Sequence, residues 1–233
     1  DVDMLAHPGL ISLDEASLQR YGAWPWPRLL TARLLGKIAE FDPAVVGVDL
    51  LFADDDPLAP QRVARLLDGL SPVAAQALAT LPDGDAALAK VLAAGPFVLG
   101  RAGVTTDPVP AGGSMLPLRV TGQPDLSGLK AFPGLLRSVA VIEAAAPAQG
   151  LVSASIDAGM VRRMPMLFSV GTNTLPALSS AMLALVQGVP ALGLTGDSAG
   201  NLQRLRVGQL NLPVDGDGHA WPRFSHHEPS RFV

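Results

Sequence analysis

Asp14 and Asp49 are the side chains of this 233-residue chain whose type and setting best suit acid–base chemistry. Two carboxylates facing each other across a cleft are pushed to different pKa values, one acting as acid and the other as base, and a carboxylate-based hydrolase would use them so. Asp49 stands inside the apolar run 44–52 (AVVGVDLLF), where a lone carboxylate is costly unless it is paired or hydrogen-bonded. Arg28, Arg162, Arg163 or the backbone donors of the turn after Asp14 are its available partners. A buried ion pair or capped strand end therefore competes with a polar pocket at the carboxyl ends of adjacent strands, where open α/β sheets hold ligands.

Other chemistries are poorly served. The chain has no cysteine, so thiolate catalysis, disulfides and cysteine-based zinc sites are excluded. Its four histidines, His7, His219, His226 and His227, lie near the two ends, and the adjacent pair points apart in any regular element. Asp54-Asp55-Asp56 lacks the glycine and following glutamate of a calcium loop and reads as a solvated acidic turn. There is no nucleophile elbow, phosphate-binding loop or His-Glu-x-x-His, and Ser12, Ser17, Ser153 and Ser155 have no visible base. The expectation is a chain without metal or cofactor.

The densest cluster of informative residues runs from Asp14, Glu15 and Ser17 to Gly22-Ala23-Trp24-Pro25-Trp26-Pro27-Arg28. Two of the three tryptophans sit two positions apart, each followed by proline. Proline fixes its own φ and holds the preceding residue extended, so the two rings stand on a stiff element just before a helix. They can stack a cyclic or cationic ligand, or place one ring in the core and one at an interface. Arg28 opens the helix, where a cation gains nothing from the helix dipole, so a buried carboxylate, Asp14 or Asp49, is its expected partner.

The elements that must position these residues alternate between strands and helices. Residues 10–13 form a short apolar strand, and 28–41 a helix with Leu30, Leu34, Leu35, Ile38 and Phe41 on one face. Residues 44–52 read as a buried strand. Three helices follow, one through Val63–Leu70, one capped by Ser71-Pro72, one over 83–94 with Leu88, Val91 and Leu92 inward. Strand 96–101 precedes a long glycine- and proline-rich stretch, 101–133, read mostly as loop. A helix over 135–145, a strand over 150–156 and a turn at Asp157-Ala158-Gly159 lead into a returning partner over 161–170. In that return Arg162 and Arg163 alternate, one towards a buried partner and one to solvent. Thr174 caps a helix to about Gln187, and strands over 205–213 and 220–224 form a C-terminal hairpin across Asp215–Gly218. This predicts a single α/β domain over 1–233, a mixed, mostly parallel sheet flanked by helices.

With 48% hydrophobic and 16% charged residues the chain can bury a large core. No apolar run is long enough to span a membrane, and no signal peptide opens the sequence. The net charge of −4 gives no footprint for nucleic acid.

Four blocks of this sequence, in order, resemble the CHASE type 2 family, extracellular sensory domains attached to bacterial adenylate cyclases, histidine kinases and serine/threonine kinases. The first is Ile11, Leu13, Asp14, Glu15, Ser17 and Leu18 followed by Gly22, Trp24, Pro25, Trp26, Pro27 and Arg28. The second is Val46 to Phe52 with the acidic turn 54–56, and the third Asp85-Ala86-Ala87-Leu88-Ala89. The fourth is Ile156-Asp157-Ala158-Gly159-Met160-Val161-Arg162-Arg163-Met164-Pro165, with Ala158 in place of the second acidic residue of that turn. The resemblance implies the periplasmic portion of a bacterial inner-membrane protein, with membrane helices flanking the domain and a cyclase or kinase as output. It implies a small-molecule or environmental signal and a weak homodimer. Asp14, Glu15, Ser17, Trp24, Trp26, Arg28, Asp49, Asp157, Arg162 and Arg163 form the expected ligand-binding or structural polar cluster. A hydrolase, or a scaffold working only through dimer contacts, are the other readings.

Overall fold

A computed structural model describes residues 9–105, 116–153 and 161–222. Its first half is built from helices whose starts are written locally. Asp14 Oδ1 accepts the Ser17 amide at 2.8 Å and opens α1 (Glu15–Tyr21). Helix α2 (Arg28–Ala39) follows Pro27, whose side chain offers no cap. Strand β1 (Val46–Val48) precedes α3 (Pro60–Leu66) and α4 (Pro72–Ala79), the latter capped by Ser71 Oγ at 3.2 Å from the Ala74 amide. Asp83 caps α5 (Gly84–Ala94), which leads into β2 (Phe97–Val104).

The second half is richer in strands: β3 (Leu118–Thr121), β4 (Ala131–Phe132), β5 (Gly134–Leu136), α6 (Ala140–Ala145) and β6 (Ala148–Leu151). Then come β7 (Met164–Pro165), β8 (Leu167–Val170), β9 (Asn173–Pro176) and α7 (Leu178–Val186). Strands β10 (Leu192–Gly196), β11 (Leu202–Val207), β12 (Leu210–Pro213) and β13 (His219–Ala220) complete the described chain.

The α/β class is as the sequence reads, with the strands shared among several sheets. β1 and β6 flank β2 in parallel, and further along β2 pairs with β5 antiparallel. Helices α2, α5 and α6 pack their apolar residues, among them Leu35, Leu88, Leu92 and Ile142, with Val48, Phe97 and Leu99 of this sheet. Helix α7 packs on β1, β2 and β6. It lies so close that a Cβ on Gly47 would sit 2.6 Å from Met182 Sδ, and one on Gly150 would sit 2.6 Å from Leu178 Cα. A second sheet, β12-β11-β10-β3, has its own core around Leu192, Leu194, Leu205 and Val207. A third, β4-β8-β9, encloses Phe168, Val170 and Leu175.

Several local expectations are corrected. Residues 10–13 hold only an isolated bridge at Leu10, and the strand expected over 44–52 stops at Val48. The inward face of α2 is Arg28, Thr31, Ala32 and Leu35, while Phe41 is exposed. Within 101–133, β2 runs on to Val104 and β3 and β4 are formed; residues 106–115 lie outside the described chain. Residues 134–136 are a strand, so the expected 135–145 helix starts only at Ala140. β8 pairs with β9 across a Gly171 turn, and β6 pairs with β2, so among the described residues the expected hairpin of 150–156 with 161–170 is not the strand pairing found. The Asp157-Ala158-Gly159 turn itself lies outside the described residues. Pro176 ends a strand, and α7 starts after an Ala177 N-cap without help from Thr174. The C-terminal hairpin is β11–β12 across Gly208, at φ +57, whereas β13 pairs with β7.

Candidate functional site

Arg28 is the centre of the most connected polar cluster among the residues the sequence singled out. It is 4% exposed, and its partners are Asp54, Asp56 and Asp85, not Asp14 or Asp49. Pro27 supplies no side-chain cap, so the first amide of α2 donates instead to Asp56 Oδ2 at 3.0 Å, an anion brought to the helix N-terminus from 28 positions away. The guanidinium Nε donates to Asp85 Oδ1 at 3.1 Å and Nη2 to the Asp54 carbonyl at 2.8 Å. Its Cζ lies 4.6 Å from the centre of the Phe52 ring, within cation–π range.

The two carboxylates are themselves held. The Asp56 amide donates to Asp85 Oδ2 at 3.4 Å, and the Leu58 amide to Asp56 Oδ1 at 3.0 Å. Burial pushes the Asp85 carboxyl above its ordinary pKa, against the opposing pull of the Asp56 amide and the Arg28 charge. Gly84, first residue of α5, lets these groups meet: a Cβ there would lie 2.7 Å from Asp56 Oδ2 and 2.8 Å from Arg28 Cβ. Asp56 is therefore buried, which corrects the reading of 54–56 as a wholly solvated turn; Asp54 and Asp55 are exposed.

The tryptophan segment divides its rings. Trp26, 4% exposed, donates Nε1–H to the Gly22 carbonyl at 2.7 Å and meets Tyr21 edge-on with ring centroids 5.6 Å apart. Trp24, 38% exposed, lies with its centroid 6.3 Å from that of Trp26. Trp26 thus pins the turn between α1 and α2 and delivers Arg28 to its carboxylates.

The other described residues of the expected set do not join this cluster. Asp14 is the N-cap of α1, and the Ser17 hydrogen bonds hold its carboxyl below the ordinary range. Glu15 is exposed and accepts from Gln19 at 3.4 Å; Ser17 is half-buried. Asp49 is exposed just beyond β1 and, among the described residues, forms no ion pair, because the strand ends before it and turns its carboxylate to water. Asp157 lies outside the described residues. Arg162 is exposed, while half-buried Arg163 pairs with Asp215 at 3.1 Å and approaches Asp217 at 3.7 Å. The two arginines differ in burial as expected, although both precede β7 and the strand whose alternation would separate them is not formed there. Asp14 and Asp49 are both solvated, and Asp14 is shifted the wrong way for an acid working near neutral pH.

Sequence reasoning missed two features. Asp85 was visible in the third motif block but carried no sign of its partner, 57 positions back. Arg101 and Glu143 form a buried ion pair, Nε to Oε1 at 2.6 Å, joining β2 to α6. No local pattern announces a pair 42 positions apart. Beside the Arg28 cluster opens a cleft of about 520 Å³, lined by Asp55, Asp56, Asp83 and Asp85 together with Arg62, Arg65 and Leu66 of α3. A smaller cleft of about 190 Å³ lies between Pro117, Gln149, Ala181 and Pro190.

Among the described residues no helix is long and apolar enough to cross a membrane. No curated protein and no solved structure matches the chain. The family model of the CHASE2 domain matches residues 7–233, a range that includes Arg28, Asp56 and Asp85 of the buried cluster. The chain therefore belongs to the CHASE2 domain family, whose members are extracellular sensory domains and not catalysts.

Proposed function

We propose that this chain is the ligand- or signal-sensing domain of a bacterial membrane signal transducer, placed outside the inner membrane and controlling a cytoplasmic nucleotide cyclase or histidine kinase. The observation that carries the reading is the family match over residues 7–233. Two structural facts support it. The motif residues are spent on joining the tryptophan turn, the 52–58 loop and α5, and the two aspartates that a hydrolase would use are solvated. The domain works through a weak homodimer, because an output enzyme that functions as a dimer responds to a change in geometry between two subunits. A ligand drives that change only through different affinities for the two arrangements.

The test is a thermal-shift screen of the 1–233 chain against a panel of sugars, amino acids, organic acids, nucleosides, amines and inorganic ions. A ligand at a hundredfold excess over Kd stabilises the folded state by about 2.7 kcal/mol. A saturable shift without turnover supports a sensor, turnover of any compound overturns it in favour of an enzyme, and no shift with any class favours a scaffold.

A further inference from the structure

We infer that the 520 Å³ cleft between α3 and the Asp83–Asp85 segment is a binding site for a free α-amino acid with an aliphatic side chain. This rests on the sensor reading above and names the chemical class it senses. The cleft falls within the size range of small-molecule sites. Its walls carry opposite charges. Arg62 and Arg65 come from α3, Asp55 from the loop that leads into it, and Asp83 and Asp85 from the start of α5.

Opposite charges that share a surface cleft usually close on each other. Here, among the described residues, neither Arg62 nor Arg65 forms an ion pair with any of these aspartates. The Arg65 guanidinium is turned back to the Gln61 carbonyl at 3.2 Å, and the Asp83 carboxylate caps its own helix through Oδ1. A separation of unlike charges matches a ligand that carries both. The arginines suit a carboxylate, which a guanidinium holds through paired N–H donors, and Asp55, exposed and without a hydrogen bond or ion pair among the described residues, suits an ammonium. Ala59 and Leu66, the latter 70% exposed, supply apolar surface for a hydrocarbon side chain. The cleft floor is rigid, since Asp56 and Asp85 are locked to Arg28.

The test uses L-leucine and its two truncations, isocaproate, which lacks the ammonium, and isopentylamine, which lacks the carboxylate. Titration calorimetry and thermal shift are run on the 1–233 chain and on R62Q and D55N, both at exposed positions whose unliganded melting temperatures should match the parent. The expected result is saturable binding of L-leucine, at least tenfold weaker binding of each truncation, and at least tenfold loss in each variant. Absence of L-leucine binding overturns the proposal. Binding that R62Q and D55N leave unchanged also overturns it, by placing the site elsewhere. A saturable shift with a different class in the wider panel, insensitive to both variants, keeps the sensor reading and removes this cleft from it.

Discussion

Replacing Arg28 by alanine should be among the most damaging single substitutions in the N-terminal half. Its side chain is 5% exposed and that of Asp85 15%. Removing one member of a buried pair typically costs about 3–5 kcal/mol, because the other charge is left without compensation. Two facts set the value within that range. The Asp56 contact is made by the Arg28 amide and survives truncation, and the Asp85 carboxyl, already raised by burial, can relieve its isolation by taking a proton. The lost stacking over Phe52 acts the other way, by about 1 kcal/mol. The expected loss is about 3 kcal/mol, or roughly 6–12 °C in melting temperature for a chain of this size. Urea denaturation of R28A, D85N, D49N and the two corresponding double variants would measure it. The Arg28–Asp85 cycle should give a coupling of about 1–3 kcal/mol, and the Arg28–Asp49 cycle less than about 0.5 kcal/mol. A loss below about 1 kcal/mol in R28A, or a larger coupling to Asp49 than to Asp85, would refute the placement of Arg28.

Trp26→Ala should cost about 3–5 kcal/mol and Trp24→Ala under about 1 kcal/mol in the same denaturation experiment, since only the first ring is buried. Arg163→Ala should cost about 1 kcal/mol through the half-buried Asp215 contact, and Arg162→Ala less than about 0.5 kcal/mol; equal losses would contradict the difference in their burial. Burial pushes the Asp215 carboxyl up, but hydrogen bonds from His219 and Arg163 outweigh it and hold the group below its ordinary pKa. Its contribution is therefore present above the unfolded value of 3.8 and lost as pH falls through the lower folded value, so D215N should flatten the acid limb of a stability–pH curve. Asp85 has the opposite sign: its raised carboxyl favours folding most below 3.8, and that share is lost as pH rises through the folded value. Sedimentation across a concentration series should show a monomer or a dimer dissociating in the micromolar range, and a dimer persisting at nanomolar concentration would move the switching step inside each subunit.

What the sequence reveals follows the range of the interactions involved. Helices α4 and α5 and strand β2 are legible because Ser71, Asp83 and the apolar run after Pro96 act within a few residues. Arg28 is legible as a cation needing a carboxylate, yet the identity of that carboxylate depends on how α2 and α5 pack, which no local period encodes. Asp49 misleads because the apolar residues around it suggest a strand buried throughout, whereas pairing with β2 ends at Val48. Thr174-Leu175-Pro176 resembles a helix start, but pairing with β8 recruits it as a strand. The Arg101–Glu143 pair joins elements whose adjacency is purely a matter of topology.

The seat of α7 on Gly47 and Gly150 has a consequence for local opening. With the α7 backbone set directly on Gly150 and the Met182 side chain set on Gly47, and with Ser180 Oγ donating to the Met166 carbonyl at 2.7 Å, α7 ties the parallel sheet to the segment that leads into β8. Hydrogen exchange of its buried amides, with those of β2, should require opening close to global unfolding. Helices α3 and α4 hold no buried residue, and Leu66, Leu67 and Val73 face solvent. That pair should stand at the other extreme, exchanging through openings of small free energy. Of the residues that line the charged cleft, Arg62 and Arg65 therefore stand on the element that should open most readily, whereas Asp56 and Asp85 are anchored through Arg28.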